Sequence, residues 1–137
     1  MKRRCLLGLF ALSPLCWTSE AYAGSYLNRA AVLVVSAKKE SEFLRGRLSD
    51  KDLAQLLHAV ALARLEAASR MQVPKEVVQA HPHLLLLLQN YERSADAAKE
   101  GHAERFLIYQ QRALDEEGIL RGVLKQLGWA LPESKDK

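Results

Sequence analysis

The sequence predicts an all-α protein, an antiparallel up-down-up-down four-helix bundle that follows a cleaved signal peptide. Three observations lead there. Apolar residues recur at steps of three and four from about residue 25 to residue 127. Proline and glycine interrupt that rhythm at residues 46–49, 73–74, 81–82, 101 and 128–132, which leaves four helix-length segments joined by short turns. The first 23 residues have the order of an export signal.

That leader opens with the cations Lys2, Arg3 and Arg4. Residues 5–17 then form an apolar run, too short for a stable bilayer span and interrupted by Pro14. Ala21-Tyr22-Ala23 satisfies the small-x-small rule for signal peptidase, so cleavage is expected before Gly24. The expected organisation is a signal peptide at 1–23, a bundle domain at 24–131 and a disordered tail at 132–137. Cys16 closes the apolar run where a lipid-modified cysteine would sit, but Leu15 occupies the position where that signal needs a small residue. Lipid anchoring is therefore not expected.

Cleavage would remove both cysteines, Cys5 and Cys16, and leave 114 residues without a disulfide or a thiolate. A cysteine-free exported helical domain points to the periplasm or the extracellular space. Three of the 20 basic residues and one of the 16 acidic ones would also go, leaving a net charge of +2. With no basic block interleaved with aromatics, nucleic acid is not an expected partner. The processed chain holds no transmembrane segment in this reading, and its partner is a protein or small molecule that the sequence does not specify.

The first helix is expected from about Ser25 to Arg45, with Tyr26, Leu27, Ala30, Leu33, Val34 and Ala37 on one stripe and Phe43 and Leu44 facing inward. The second starts at an N-cap Ser49, with Asp52 completing a capping box, and runs to about Met71. Its inward stripe reads Leu53, Leu56, Leu57, Val60, Ala61, Arg64, Leu65 and Ala68. A short helical piece follows Pro74. Pro82 then opens the third helix, because a first-turn proline lacks only an N–H that would be unpaired there. Its leucines 84–88 are apolar on every side and need cover on every side. The segment 72–81 and the tail 129–131 are placed to supply it. Gly101 provides a left-handed stop, and a fourth helix runs from His102 to Leu127 with Phe106, Tyr109, Ala113, Leu120, Val123, Leu124 and Leu127 inward.

Chemistry-bearing motifs are sparse. His81, His83 and Met71 form the one candidate metal set, two imidazoles and a thioether of the kind that suits copper. The plainer reading is that the histidines bracket a helix start without a charge partner and that Met71 is a flexible apolar end residue. The chain has no Cys-x-x-Cys-His for covalent haem, and the bundle would hold His102 and Met71 most of a helix length apart. No histidine has a glutamate three residues before it, as di-iron bundles require. Glu66, Glu92, Glu104, Glu116 and Glu117 read as members of solvated faces and i,i+4 pairs. Ser36-Ala37-Lys38-Lys39 matches Ser-x-x-Lys without the motifs that accompany it in acyl-transfer enzymes. Gly118 and Gly122, one turn apart, read as a close internal helix crossing, with a weak dimer seam as the lesser reading.

No cofactor and no catalytic role are therefore expected. The sequence points to a small exported helical protein that acts by binding or association. A periplasmic metal or haem carrier and an envelope-stress chaperone or sensor with an exposed apolar groove are the alternatives.

Overall fold

Proline and glycine set most element boundaries where the sequence placed them, with the largest exception at the start. The computed structural model describes residues 15–133, and side chains from residue 21 onward. The apolar stretch of the expected leader up to residue 14 and the tail beyond residue 133 lie outside the described residues. Four long helices follow one another, α1 (Leu15–Arg45), α2 (Lys51–Ser69), α3 (His81–Lys99) and α4 (Ala103–Gln126), with a 3-10 turn at Lys75–Val77 between α2 and α3. Among the described residues there is no strand, and no helix is long and apolar enough to cross a membrane.

The exception is α1, which begins ten residues earlier than the stripe from Ser25 suggested. Ala21, Tyr22 and Ala23 lie within it; Ala23 is buried, and the Tyr22 hydroxyl donates to Gln72 Oε1 at 3.1 Å. Nothing after Pro14 except Gly24 disfavours helix, so α1 extends through the expected cleavage site.

The start of α2 also differs from expectation. Asp50, not Ser49, is the N-cap, with extended backbone and its carboxylate accepting from Leu53 N at 3.0 Å. Both residues are good caps, and the chain uses the later one. The stops match the sequence: Gly101 and Gly128 sit at φ 80° and 84°, a conformation that a side chain disfavours.

Helix α3 is the centre of the molecule and touches all three others, most extensively α4 and α2. Leu84, Leu87, Leu88, Tyr91, Ala95 and Ala98 are all buried along it. The leucine run is nevertheless not covered all round, because Leu86 remains 42% exposed. Helix α2 meets the core through Ala54, Ala61 and Ala68, seven residues apart, whose small side chains permit close approach. That seam is narrower than the apolar stripe, so Leu56 and Val60 face outward instead of inward. In α1 Leu44 is buried, while Phe43 lies at the surface beneath the Arg47 guanidinium, 4.0 Å from the ring centroid.

The core has two apolar parts. One gathers Leu27, Val34, Leu84, Leu87, Leu88, Leu120 and Leu124, closed by Val77, Ala80 and Leu131 with Val73 and Trp129 packed on it. The segment after α2 and the tail after α4 thus close the core around Leu84, Leu87 and Leu88, while Leu86 stays outside it. The other part joins Leu44, Ala54, Ala95, Ala98 and Phe106. Along each helix, polar residues fall between the two parts. Gln110 donates to Ser41 Oγ at 2.9 Å, and Arg64 donates to Glu40 Oε2 at 2.5 Å.

Candidate functional site

Three histidines are each used to join helices. His81 Nδ1 lies 2.7 Å from the Tyr26 hydroxyl, which ties α3 to α1. Burial pushes the His81 pKa below its ordinary 6.5 and the Tyr26 phenol up to about 12, so both stay neutral. His83 Nδ1 donates to Glu116 Oε1 at 2.5 Å and ties α3 to α4. His58 Nε2 donates to Glu92 Oε1 at 2.8 Å, while its Nδ1 faces Lys99 Nζ at 3.4 Å. The fourth histidine, His102, is exposed at the N-cap of α4.

The candidate metal set does not converge on shared ground. Residues two apart on a helix point to different sides, and His81 turns to α1 while His83 turns to α4. Met71 packs against the apolar core near the end of α2. Among the described residues, no group of three or more His, Cys, Asp and Glu side chains could hold a metal ion. The expectation that His83 needs no charge partner is corrected by Glu116.

The expected i,i+4 pairs form at Glu66 with Arg70 and at Glu117 with Arg121, but not all of these carboxylates are solvated. Glu116 and Glu117 are only 8% and 9% exposed, and Glu92 is half-buried against His58. Glu117 meets Lys38 Nζ of α1 at 3.6 Å and accepts from Arg121 at 3.0 Å. The signal was present, because 116 and 117 continue the spacing of the buried positions 113, 120 and 124. Gly118 and Gly122 differ from expectation in the other direction. Both are exposed, and a Cβ added to either meets nothing within 4 Å, so they do not seat an internal crossing.

The surface feature that the sequence did not mark lies on α1. Val32 is 64% exposed in the middle of the apolar stretch 30–35. On one side of it runs a groove of about 510 Å³ between α1 and the end of α2, lined by Asn28, Arg29, Val32, Leu33, Ala67 and Met71. On the other side is a second concavity of about 450 Å³, where Ala31, Val35 and Ser36 face Pro132 and Glu133 of the tail. From α2 itself only Ala67 lines the groove, with Met71 just past the helix end. A third concavity, of about 280 Å³ at the turn between α3 and α4, is charged, with Arg93, Arg105, Asp96 and Glu100 in its wall.

The first groove has the volume of a small-molecule site and walls that are almost wholly apolar. It can take an apolar chain or ring system out of water. Comparison with protein families, with characterised proteins and with solved structures finds no match to this chain.

Proposed function

We propose that this chain is a small exported protein that acts by binding, and that its ligand or partner inserts an apolar group into the groove beside Val32. The observation that carries this reading is the groove itself. It is a concave surface with almost wholly apolar walls and an exposed valine at its edge, the kind of surface that takes an apolar group out of water. An envelope-stress chaperone would use the same surface, and the groove favours it over a metal or haem carrier, whose ligands would have to come together from different helices.

In this reading the helices alternate up-down-up-down. The cross-helix pairs Tyr22–Gln72, His58–Glu92 and His83–Glu116 support that order, since each joins the earlier half of one helix to the later half of the next or, for Gln72, to the segment just past its end. Periplasmic or secreted localisation rests on the order of charge, apolar run and cleavage site. Cleavage before Gly24 would remove the Tyr22–Gln72 bond, while Tyr26 on His81 and the buried Leu27 would hold the new start of α1. The groove begins at Asn28 and would survive intact.

Nile red, a neutral dye that fluoresces in apolar surroundings, tests the reading on the purified native protein. Saturable fluorescence that Val32→Asp weakens about tenfold or more is expected, because the carboxylate would need desolvation to be covered. Absence of saturable binding, or binding untouched by Val32→Asp, contradicts it.

A further inference from the structure

Helix α2 is apolar on two opposite faces. Ala54, Ala61 and Ala68 turn one of them to the core. On the other, Leu56, Val60, Ala63 and Ala67 follow at steps of four, three and four, within about 60° of one another around the axis. All four are exposed, Leu56 to 61%. A helix that is apolar on both sides is ordinarily covered on both. Among the described residues only the inner face is covered.

The outer face fits a copy of itself. Its bulky members stand toward the start of the helix and its small ones toward the end. Two α2 helices crossing antiparallel about a two-fold axis set Leu56 of each against Ala67 of the other, and Val60 of each against Ala63 of the other. Large meets small at every step. Ala67 is also a wall of the groove beside Val32, so Leu56 of one copy arrives at the groove of the other. The charges at the ends of the stripe agree. Asp52 lies four residues before Leu56 and Arg70 three residues after Ala67, both exposed and both in line with the stripe. The antiparallel crossing brings Asp52 of each copy to Arg70 of the other, whereas a parallel one sets like against like. Arg70 holds Glu66 at 2.6 Å through one nitrogen, and its five N–H donors leave room for a second carboxylate.

We propose, resting on the groove reading above, that the partner is a second copy of this chain. The two join as an antiparallel pair through the outer face of α2, with Leu56 of each seated in the groove between α1 and α2 of the other. A single helix crossing of this kind falls below the roughly 1,200 Å² at the low end of stable interfaces, so the dimer is weak and exchanges with monomer.

Sedimentation equilibrium of the purified native protein tests the pairing. A reversible monomer–dimer equilibrium in the micromolar range is expected. Leu56→Asp and Val32→Asp should each weaken it about tenfold or more, because a carboxylate would have to be desolvated at the crossing. Ile119→Asp, an equally exposed apolar position on α4, should leave it unchanged. Asp52→Arg should weaken it about two- to fivefold, and adding Arg70→Asp should restore it, as for exposed ion pairs. All these side chains are exposed, and an unchanged circular dichroism spectrum verifies that each variant is folded. Leu56→Gln, which adds no charge, should repeat the effect in weaker form if the aspartate disturbs the helix. A wild-type protein that stays monomeric up to about 1 mM overturns the proposal. So does a dimer indifferent to both Leu56 variants, one weakened as much by Ile119→Asp, or one that the double charge reversal fails to restore. Nile red separates this failure from that of the groove. A monomeric wild type that still binds the dye saturably refutes the dimer while the groove stands. Absence of dye binding in the Leu56→Asp monomer, whose groove no second copy fills, overturns the groove reading and the proposal with it.

Discussion

The five leucines of α3 differ in what they touch, and the difference sets a stability scale. Leu84, Leu87 and Leu88 are 0%, 0% and 1% exposed and belong to the larger apolar core, whereas Leu86 on the same helix faces outward. Truncating a fully buried leucine loses its transfer free energy and leaves a cavity, together about 2–5 kcal/mol. Leu87→Ala is expected near the middle of that range, about 3 kcal/mol. For a protein of this size that lowers the thermal midpoint by roughly 10 °C. Leu86→Ala removes a side chain that already meets water, and alanine is the better helix former, so its cost should stay within about 0.5 kcal/mol. Urea denaturation followed by far-ultraviolet circular dichroism measures both, with an unchanged slope required before the midpoints are compared. A Leu86→Ala cost equal to that of Leu87→Ala, or a Leu87→Ala cost below about 1 kcal/mol, would mean that α3 is rotated about its axis from the orientation described.

Other outcomes follow from single contacts. Asp50→Ala should cost about 1 kcal/mol in the same assay and Ser49→Ala almost nothing, since the α2 cap is made by the Asp50 carboxylate; the reverse order would move the helix start. Gly118→Ala and Gly122→Ala should each stabilise by about 0.5–1 kcal/mol, because both sit in a helix with open space where the methyl goes; destabilisation by either would show a close neighbour at that point. His81 contributes a pH dependence whose sign is fixed by desolvation. Its folded pKa lies below the ordinary 6.5, so on acidification through 6.5 the unfolded chain binds a proton before the folded one does, and stability falls until the folded value is reached. His81→Gln should flatten that part of the urea-midpoint profile, and an identical profile in the variant would refute the assignment.

The parts of this fold that are legible in the sequence are those decided locally. Pro82, Gly101 and Gly128 constrain the backbone whatever surrounds them, and the helices begin and end there. The choice between Ser49 and Asp50 as cap is equally local but nearly degenerate in energy, so sequence alone does not separate them. Helix rotation is less legible, because an apolar stripe wider than its partner's seam leaves some of its members outside. Leu56, Val60 and Leu86 are apolar and exposed for that reason. The buried carboxylates depend on partners distant in the chain, His83 for Glu116 and Lys38 for Glu117, and a glutamate reads the same whether it meets water or a cation. Their position on the buried spacing of α4 was the available signal. The groove was hidden because its walls belong to separate helices.

The most direct measurement of the central claim is a two-dimensional amide NMR titration of the isotope-labelled protein with Nile red. Progressive, saturable shifts concentrated at Asn28, Arg29, Val32, Leu33, Ala67 and Met71 are expected, with the amides around His58 and Glu92 unmoved. Shifts centred on the charged concavity of Arg93 and Arg105, or no saturable shifts at all, would contradict binding in the groove beside Val32.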